Sequence, residues 1–317
     1  MNLVFMGTPA FAVPSLEALV AARFRPSLVI TQPSARRSRR GEAERSELGA
    51  AAVKLGLDVM ESEKISATPE FEKLTALKPD LIVVVAFGQI LRKNVLTLPR
   101  FGCINLHPSK LPAYRGAAPI QRAIMDGVET SGITVMKIGV KLDAGPILAQ
   151  KDFPISPEET AEEAGVRAAK DGAAMIVDVV RAYASGTPPK ETPQDDALAT
   201  YAHMLAKEDG AIHFDRPANR VWDQIRGVTP WPRAYTYHPG KRGVTRLIVH
   251  RAEPATNTSG AAPGTITAIN QRGIEIACAT TSLVLTRLQA EGKPVREAAD
   301  FLRGFPMEPG ERLSARP

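Results

Sequence analysis

The chain has 317 residues, of which 44% are hydrophobic and 23% charged, the composition of a globular protein large enough for two domains. No stretch approaches the roughly 18–20 apolar residues of a membrane span, and the first residues lack a secretory signal pattern. The two cysteines, Cys103 and Cys278, lie far apart and form no CxxC pair, which argues against a disulfide framework and a structural zinc site. We therefore expect a cytoplasmic protein without membrane contact.

The net charge of +6 is unevenly distributed along the chain. Residues 206–317 hold 16 basic and 11 acidic side chains, whereas residues 1–205 hold 24 and 23. Within the nearly neutral first part, residues 36–40 read Arg-Arg-Ser-Arg-Arg. Basic regions favour an anionic partner, although a run of charges is more often only a solvated surface.

Apolar runs alternate with helical patterns over the first half of the chain. Residues 3–6, 28–31 and 80–86 are continuous apolar runs without the alternation of a half-exposed strand. Such runs predict strands buried on both faces, and their alternation with helices predicts a parallel sheet. We expect a Rossmann-like open α/β sheet, closed by a long helix over residues 160–184.

The pattern changes beyond residue 205, where short β-like runs with turn signals predict a smaller OB-like β-barrel. These runs are residues 234–237, 246–250, 264–269, 273–277 and 282–288. A polar, Pro-rich stretch separates the two parts and is typical of a linker. The predicted organisation is a catalytic domain over 1–185, a linker over 186–205 and a C-terminal domain over 206–317.

Several nucleotide and metal motifs are absent from the sequence. The first predicted strand ends at Gly7, but the second glycine of GxGxxG is missing, which disfavours nicotinamide and flavin binding. The chain has no P-loop, no HExxH and no GxSxG motif. Its five histidines show no metal-ligand spacing, so we expect no metal site.

Two polar residues end the predicted strand over 103–107. Asn105 and His107 are two positions apart, so their side chains project to the same face of the strand. Ligands of open α/β sheets bind at the carboxyl ends of the strands. Asp143 follows the next predicted strand, over 132–138, and we expect it at a comparable sheet edge.

An Asn, a His and an Asp form a set that suits direct acyl transfer to an amine. The carboxylate can orient the imidazole and raise its pKa, the imidazole can accept a proton from the attacking amine, and the amide can donate to an oxyanion. None of the three is an obvious covalent nucleophile. The alternative, in which His107 is a satisfied structural residue, stays open at this point.

Four segments of the chain resemble the methionyl-tRNA formyltransferase family, namely residues 6–12, 83–91, 102–121 and 139–148. Weaker similarity continues through the C-terminal part, so the resemblance covers nearly the full chain. The paired motifs Asn-x-His-x-Ser-x-Leu-Pro and Leu-Asp-x-Gly are specific to formyl transfer from 10-formyltetrahydrofolate. They do not by themselves fix the acceptor.

The resemblance implies that Asn105, His107 and Asp143 are the catalytic residues. It also implies a set of folate contacts, namely Phe87, Gly88, Gln89, Ile90, Leu91, Ser109, Lys110, Leu111, Pro112 and Leu142. The family usually has leucine at position 110. The lysine here can point either to solvent or to the glutamate tail of the folate. The resemblance implies no metal and no nucleotide cofactor.

In the family, a loop after the second strand reaches into the tRNA acceptor stem. The corresponding loop here carries the arginines that we expect to contact tRNA, namely Arg36, Arg37, Arg39, Arg40 and Arg45. Arg39 aligns with the arginine of the family's Gly-Arg-Gly segment, but the flanking glycines are absent. The expected partners are folate and initiator methionyl-tRNA, with the chain acting as a monomer.

Two other functions stay open from the sequence. A sugar-nucleotide amine formyltransferase would share the three catalytic residues, but the basic loop and the C-terminal charge favour an RNA acceptor. A non-catalytic RNA-binding protein on a transferase fold would explain the charge. The intact Asn105, His107 and Asp143 argue against it.

Overall fold

The structure is a computed structural model that describes residues 1–33, 35–36, 43–240, 243–258 and 260–316. The chain folds into two compact units. The N-terminal unit comprises Met1–Pro119, Thr130–Pro154 and Gly165–Ala202, and the C-terminal unit comprises Ile120–Glu129, Ile155–Ala164 and His203–Pro317. Among the described residues, no helix has both the length and the apolar character that crossing a bilayer requires.

The elements up to residue 202 are, in chain order, β1 (Leu3–Gly7), α1 (Val13–Ala21), β2 (Leu28–Thr31), β3 (Ala35–Arg36), β4 (Ala43–Glu44), α2 (Glu47–Lys54), β5 (Val59–Glu61), α3 (Thr68–Ala76), β6 (Leu81–Val85), α4 (Lys93–Leu96), β7 (Cys103–His107), β8 (Arg115–Gly116), α5 (Pro119–Met125), β9 (Thr130–Lys137), β10 (Ile147–Pro154), α6 (Ala161–Ala184) and β11 (Tyr201–Ala202).

The N-terminal unit is built on a seven-stranded sheet in the order β10-β9-β7-β6-β1-β2-β5. The five strands from β7 to β5 run parallel, whereas β9 is antiparallel to β7 and β10 is antiparallel to β9. Every residue of β1 and β6 is buried, as expected for strands covered on both faces. The predicted open α/β sheet is confirmed, and the two antiparallel strands extend it at one edge.

Helix α6 packs against the strand that carries Asn105 and His107. At the start of the helix, Thr160 and Glu163 form a capping box, in which each side chain accepts from the other's backbone N–H, at 3.3 Å for Thr160 and 2.9 Å for Glu163. Gly172 lies directly against β7, because a Cβ there would come within 2.6 Å of the Leu106 side chain. The small residue therefore lets the helix approach the strand closely.

The Pro-rich segment after α6 is hydrogen-bonded to the rest of the N-terminal unit. Thr192 and Ile147 exchange two backbone hydrogen bonds, and β11 pairs in parallel with β8. The Thr200 carbonyl accepts from the Arg115 N–H, and its hydroxyl accepts from the Tyr114 N–H at 2.8 Å. The segment thus runs beside the loop that follows β7.

The elements of the remaining chain are α7 (Ala218–Gly227), β12 (Ala234–Gly240), β13 (Gly243–Ala255), β14 (Ile266–Asn270), β15 (Gly273–Ala277), β16 (Ser282–Ala290), β17 (Arg296–Glu297) and α8 (Ala298–Gly304). Each of the five predicted β runs overlaps one of the strands from β12 to β16. The strands form an antiparallel sheet in the order β12-β13-β16-β15-β14, with β17 added to β16.

The C-terminal tail closes this sheet into the predicted small barrel. Ser314 exchanges two backbone hydrogen bonds with Tyr237 of the edge strand β12. At the other edge, Ile266 of β14 bonds with Gly310 and Glu311, and the Leu313 N–H donates to the Gly264 carbonyl. The tail therefore pairs with both outer strands of the sheet.

Leu313 anchors the tail in the core of the C-terminal unit, where it is 2% exposed. Replacement by alanine leaves a cavity and loosens the closing segment, so we expect Leu313→Ala to lower the free energy of unfolding by about 2–5 kcal/mol. Both tryptophans, Trp222 and Trp231, lie in the C-terminal unit, so urea denaturation followed by tryptophan fluorescence reports on that unit.

The matched control is Val244→Ala, at a side chain of the same unit that is 52% exposed, which should leave the fluorescence midpoint unchanged. Equal midpoints for both variants would contradict the closing role of the tail.

Candidate active site

The candidate site is built around the last residues of β7. His107 is 4% exposed and Asn105 is half-buried, and both lie on one strand that pairs with β6 on one side and β9 on the other. The two side chains project from the same face of β7, as their spacing predicts. Both side chains are therefore attached to a rigid central strand.

The hydrogen bond at His107 fixes which ring nitrogen carries the proton. Nε2 of His107 lies 2.9 Å from the Tyr114 carbonyl oxygen. A carbonyl oxygen can only accept, so Nε2 donates to it, and in the neutral imidazole Nδ1 is then unprotonated. The base of the site is therefore Nδ1.

Asp143 lies beside this nitrogen, with its Oδ2 atom 3.8 Å from His107 Nδ1. The same carboxylate oxygen accepts from the Gly116 N–H at 2.9 Å. Asp143 has a φ of +46°, in the left-handed region that aspartate tolerates better than most residues. The hydrogen bond from Gly116 of β8 therefore holds the carboxylate in place.

The route of the chain to Asp143 differs from the sequence expectation. Because β9 runs antiparallel to β7, it ends level with Ile104 rather than with His107. The loop after β9 then turns back over the sheet, and it is this return that places Asp143 beside His107. The expectation of two carboxyl strand ends at a common edge was wrong, although the two side chains do meet.

The pKa of His107 is lowered from its ordinary value of about 6.5. The main cause is burial, which disfavours the charged imidazolium, while the Asp143 carboxylate and the hydrogen bond to Tyr114 act in the opposite direction. The carboxylate raises the pKa as expected from the sequence, but burial outweighs it. His107 is therefore neutral at pH 7 and ready to accept a proton.

Asn105 offers a second polar group at this end of β7. In the described part of the chain its carboxamide has no hydrogen-bond partner, although its backbone belongs to the sheet ladder. A free amide on a rigid strand, next to a neutral base, can donate to an oxygen that becomes negative.

The loop after β7 is held by a hydrogen bond within the loop and by hydrogen bonds to β9 and β10. The Ser109 hydroxyl donates to the Ala113 carbonyl at 2.6 Å, and the buried Leu111 is bonded through its N–H and carbonyl to Thr134 and Gln150. Pro112 is half-buried beside them. Lys110 turns away to the surface, where its Nζ atom lies 2.5 Å from Asp152 Oδ1 and its side chain is 52% exposed.

The loop after β6 is fixed by hydrogen bonds to neighbouring parts of the N-terminal unit. Phe87 is buried, and its carbonyl accepts from Thr8 Oγ1 and Gln32 Nε2 at 3.0 Å each. The Gln89 side chain bonds inward to Ile65 and Ser62. Gly88 has a φ of +80°, which a non-glycine residue adopts only with strain.

Exposed apolar surface occurs on the loops after β6 and after β9. Ile90 is 90% exposed and Leu142 is 62% exposed, whereas Leu91 is half-buried in the neighbouring core. Large apolar side chains left this open on two loops of one unit suit contact with a flat, partly apolar ligand.

Most of the predicted tRNA contacts lie outside the described residues. This holds for Arg37, Arg39 and Arg40, while the backbone of Arg36 pairs with Ala43 in the short ribbon of β3 and β4. Arg45 is described and exposed.

The sequence analysis missed a polar group that contacts the Asp143 loop. The Gln194 amide nitrogen donates to the carbonyl oxygens of Asp143 and Gly145, at 2.9 and 2.7 Å. Its amide oxygen accepts from the Arg115 guanidinium at 2.9 and 3.1 Å. Gln194 lies in the Pro-rich stretch, 51 positions from Asp143 in sequence, so no local pattern could have placed it there.

Two family profiles match almost the whole chain. The profile of formyl transferase covers residues 1–180, and that of the formyl transferase C-terminal domain covers residues 204–306. The chain belongs to the formyl transferase family. The family resemblance read from the sequence is thus confirmed.

Relatives of this formyl transferase align with it from end to end. The methionyl-tRNA formyltransferase of Moorella thermoacetica is 43% identical over 313 residues, which are 99% of each chain. That of Acidobacterium capsulatum is 42% identical over an alignment of 319 positions, which covers 99% of this chain and 100% of the relative.

Solved structures share the fold of this formyl transferase at low sequence identity. The sugar 3N-formyl transferase WlaRD, solved in the presence of dTDP and 5-N-formyl-THF, has a TM-score of 0.66 and 17% identity, covering 93% of this chain and 99% of its own. The methionyl-tRNA formyltransferase of Clostridium thermocellum has a TM-score of 0.57 and 20% identity, covering 80% of this chain and 94% of its own. Among the described residues of this formyl transferase, no cluster of His, Cys, Asp and Glu could hold a metal ion.

The contact between Asp143 and His107 predicts the direction of a pKa change. Removing the negative charge in Asp143→Asn takes away the interaction that favours the imidazolium, so we expect the pKa of His107 to fall further below 6.5. An NMR titration of the histidine ring protons, assigned with His107→Asn, measures this value.

Asp178→Asn removes a carboxylate from the exposed surface of α6 and serves as the control. It should leave the His107 titration unchanged. A higher His107 pKa in Asp143→Asn than in the unaltered protein would refute the assigned contact.

Proposed function

We propose that the chain transfers the formyl group of 10-formyltetrahydrofolate to the α-amine of initiator methionyl-tRNA. The observation that carries the proposal is the end-to-end similarity, at 43% identity, to a methionyl-tRNA formyltransferase. The presence of Asn105, His107 and Asp143 around one strand end supports it, because these groups suit acyl transfer to an amine.

In the proposed reaction, the amine attacks the formyl carbon and a new carbon–nitrogen bond forms. His107 accepts the proton that the amine loses, at Nδ1, and Asp143 stabilises the resulting imidazolium at 3.8 Å. The carbonyl oxygen becomes negative in the tetrahedral intermediate, and the Asn105 amide donates to it. The bond to N10 then breaks, and the proton held by His107 passes to N10 of the leaving tetrahydrofolate.

The lowered pKa of His107 supports this order of proton transfers. A base must be unprotonated before the attack, and burial of His107 keeps it neutral at pH 7. Asp143 then offsets the cost of charging a buried ring at the moment when the proton arrives. Burial thus favours the neutral resting state of His107, while the carboxylate reduces the cost of charging the ring throughout.

Two groups within the proposed folate contacts have distinct environments. Phe87, Gln89, Ser109 and Leu111 have their polar groups bonded within the protein or are buried, so they shape the two loops. Ile90 and Leu142 present exposed apolar side chains to which a pterin ring can bind. Gly88, Leu91, Lys110 and Pro112 complete the proposed set.

The tRNA would be held by positive charge. Arg36, Arg37, Arg39, Arg40 and Arg45 lie together in the sequence, and residues 206–317 add five positive charges in excess. Arginine and lysine side chains bind phosphates without reading sequence, whereas arginine can also read guanine edges. We further propose that the chain acts as a monomer in the cytoplasm, with the domain limits predicted from the sequence.

Formyl transfer itself tests the proposal. The protein is incubated with labelled 10-formyltetrahydrofolate and, in separate reactions, initiator methionyl-tRNA and an aminosugar nucleotide. Label is expected in the methionyl-tRNA, because its α-amine is the proposed nucleophile. Label in the sugar alone, or in neither acceptor, would overturn the proposal.

His107→Ala is the matched inactive control for this assay. It should retain the folded state by circular dichroism and lose activity by roughly 10²–10⁴-fold, the usual contribution of a general base. Activity equal to that of the unaltered protein would remove the proposed role of His107.

The arginine loop predicts a separation between the two substrates. Arg39→Ala removes one proposed phosphate contact, so we expect a higher KM for tRNA and an unchanged folate affinity. The slope of the logarithm of tRNA affinity against the logarithm of salt concentration should be smaller in magnitude by about one. Steady-state kinetics at several salt concentrations measures this.

Arg181→Ala, on the exposed surface of α6, is the control and should change neither KM nor the salt slope. Equal effects of Arg39→Ala on folate and tRNA would count against a tRNA role for the loop.

A further inference from the structure

Gln194 has a carboxamide whose hydrogen-bonding capacity is fully used. Its oxygen accepts two N–H groups of Arg115, and the two hydrogens on its nitrogen are donated to the carbonyls of Asp143 and Gly145. A guanidinium can only donate and a carbonyl can only accept, so the amide has one possible orientation. A half-buried side chain is thereby locked between two parts of the N-terminal unit.

Arg115 fixes the other end of this arrangement. Its side chain is 3% exposed, and its guanidinium lies 2.8 Å from Asp196, two positions after Gln194. The hydrogen bond from Arg115 is the main reason why the pKa of Asp196 lies below its usual range. The buried cation thus ties the segment that carries Gln194 to the loop after β7.

The loop between β9 and β10 needs such support to hold Asp143 in place. Asp143 adopts a left-handed φ of +46°, and Gly145 packs so closely that a Cβ would come within 1.8 Å of the Lys137 carbonyl. The carboxylate of Asp143 is bonded to Gly116, but its backbone carbonyl depends on Gln194. Together with the hydrogen bond from Gly116, this path of the loop keeps the carboxylate beside His107.

We infer that Gln194 is a positioning residue of the active site, which holds the Asp143 carboxylate beside His107 and is itself oriented by Arg115. The inference rests on the proposed function for its catalytic consequence. Its structural part, the effect of the Asp143 carboxylate on His107, can be measured without any substrate.

The test replaces Gln194 by methionine, which is similar in length but can neither donate nor accept in the same way. The loop then loses two hydrogen bonds and Asp143 moves away from His107. Asp143 is the charged group that acts on His107, so the pKa of His107 should fall in an NMR titration of the ring protons. In formyl transfer, kcat should fall by on the order of 10- to 100-fold.

Gln224→Met is the matched control, because the amide nitrogen of this second glutamine also donates to two backbone carbonyls, whereas its buried oxygen accepts from no group in the described part of the chain. The Gln224 amide donates to the carbonyls of Asp209 and Ala211, both at 2.8 Å, but within the C-terminal unit. The control should lose stability in urea to a similar degree and leave both kcat and the His107 titration unchanged.

A folded Gln194→Met protein with an unaltered His107 titration and an unaltered kcat would overturn the inference. If Gln194→Met does not fold, Gln194→Asn decides, since it keeps the amide on a side chain one carbon shorter. It should shift both measurements in the same directions by smaller amounts, and no shift in either would overturn the inference. If the unaltered protein transfers no formyl group but Gln194→Met still lowers the His107 pKa, the proposed function is refuted and the positioning role stands.

Discussion

The site depends on burial of one imidazole between two oxygen atoms of different character. The Tyr114 carbonyl accepts a hydrogen bond from the Nε2–H of His107, and the Asp143 carboxylate lies 3.8 Å from Nδ1. Burial alone would make the ring a weak base, and the carboxylate alone would tend to keep it charged. With burial stronger than attraction, the ring is neutral but can bear a charge for a short time. The folding of the surrounding loops serves to keep these two oxygens in place.

Three separate chain segments meet around His107 to keep these two oxygen atoms in place. The loop after β7 supplies the Tyr114 carbonyl and the Gly116 N–H, the loop after β9 supplies the carboxylate, and the stretch after α6 supplies Gln194. Because β9 runs antiparallel to β7, the carboxyl end of β9 does not lie beside His107. The acidic residue comes instead from a loop that returns over the sheet, and a loop of this kind needs hydrogen bonds from a further segment.

Much of this could be predicted from the sequence, and the failures have physical reasons. Apolar runs identify buried strands, and a spacing of two places Asn105 and His107 on one face, because both patterns are local. An apolar run carries no direction, so the antiparallel course of β9 was not predictable. The orientation of Lys110 depends on Asp152, and the role of Gln194 depends on Arg115, 79 positions away. Composition marked the stretch around Gln194 as a linker but could not show what it contacts.

The tail that closes the C-terminal sheet also changes how this unit can meet other chains. An open antiparallel sheet has an outer strand at each side whose backbone N–H and carbonyl groups can pair with a strand of another molecule. Here the tail occupies groups of this kind on both β12 and β14. The unit thus protects itself against edge-to-edge aggregation with a segment of its own backbone, and its basic surface charge can serve binding rather than solubility alone.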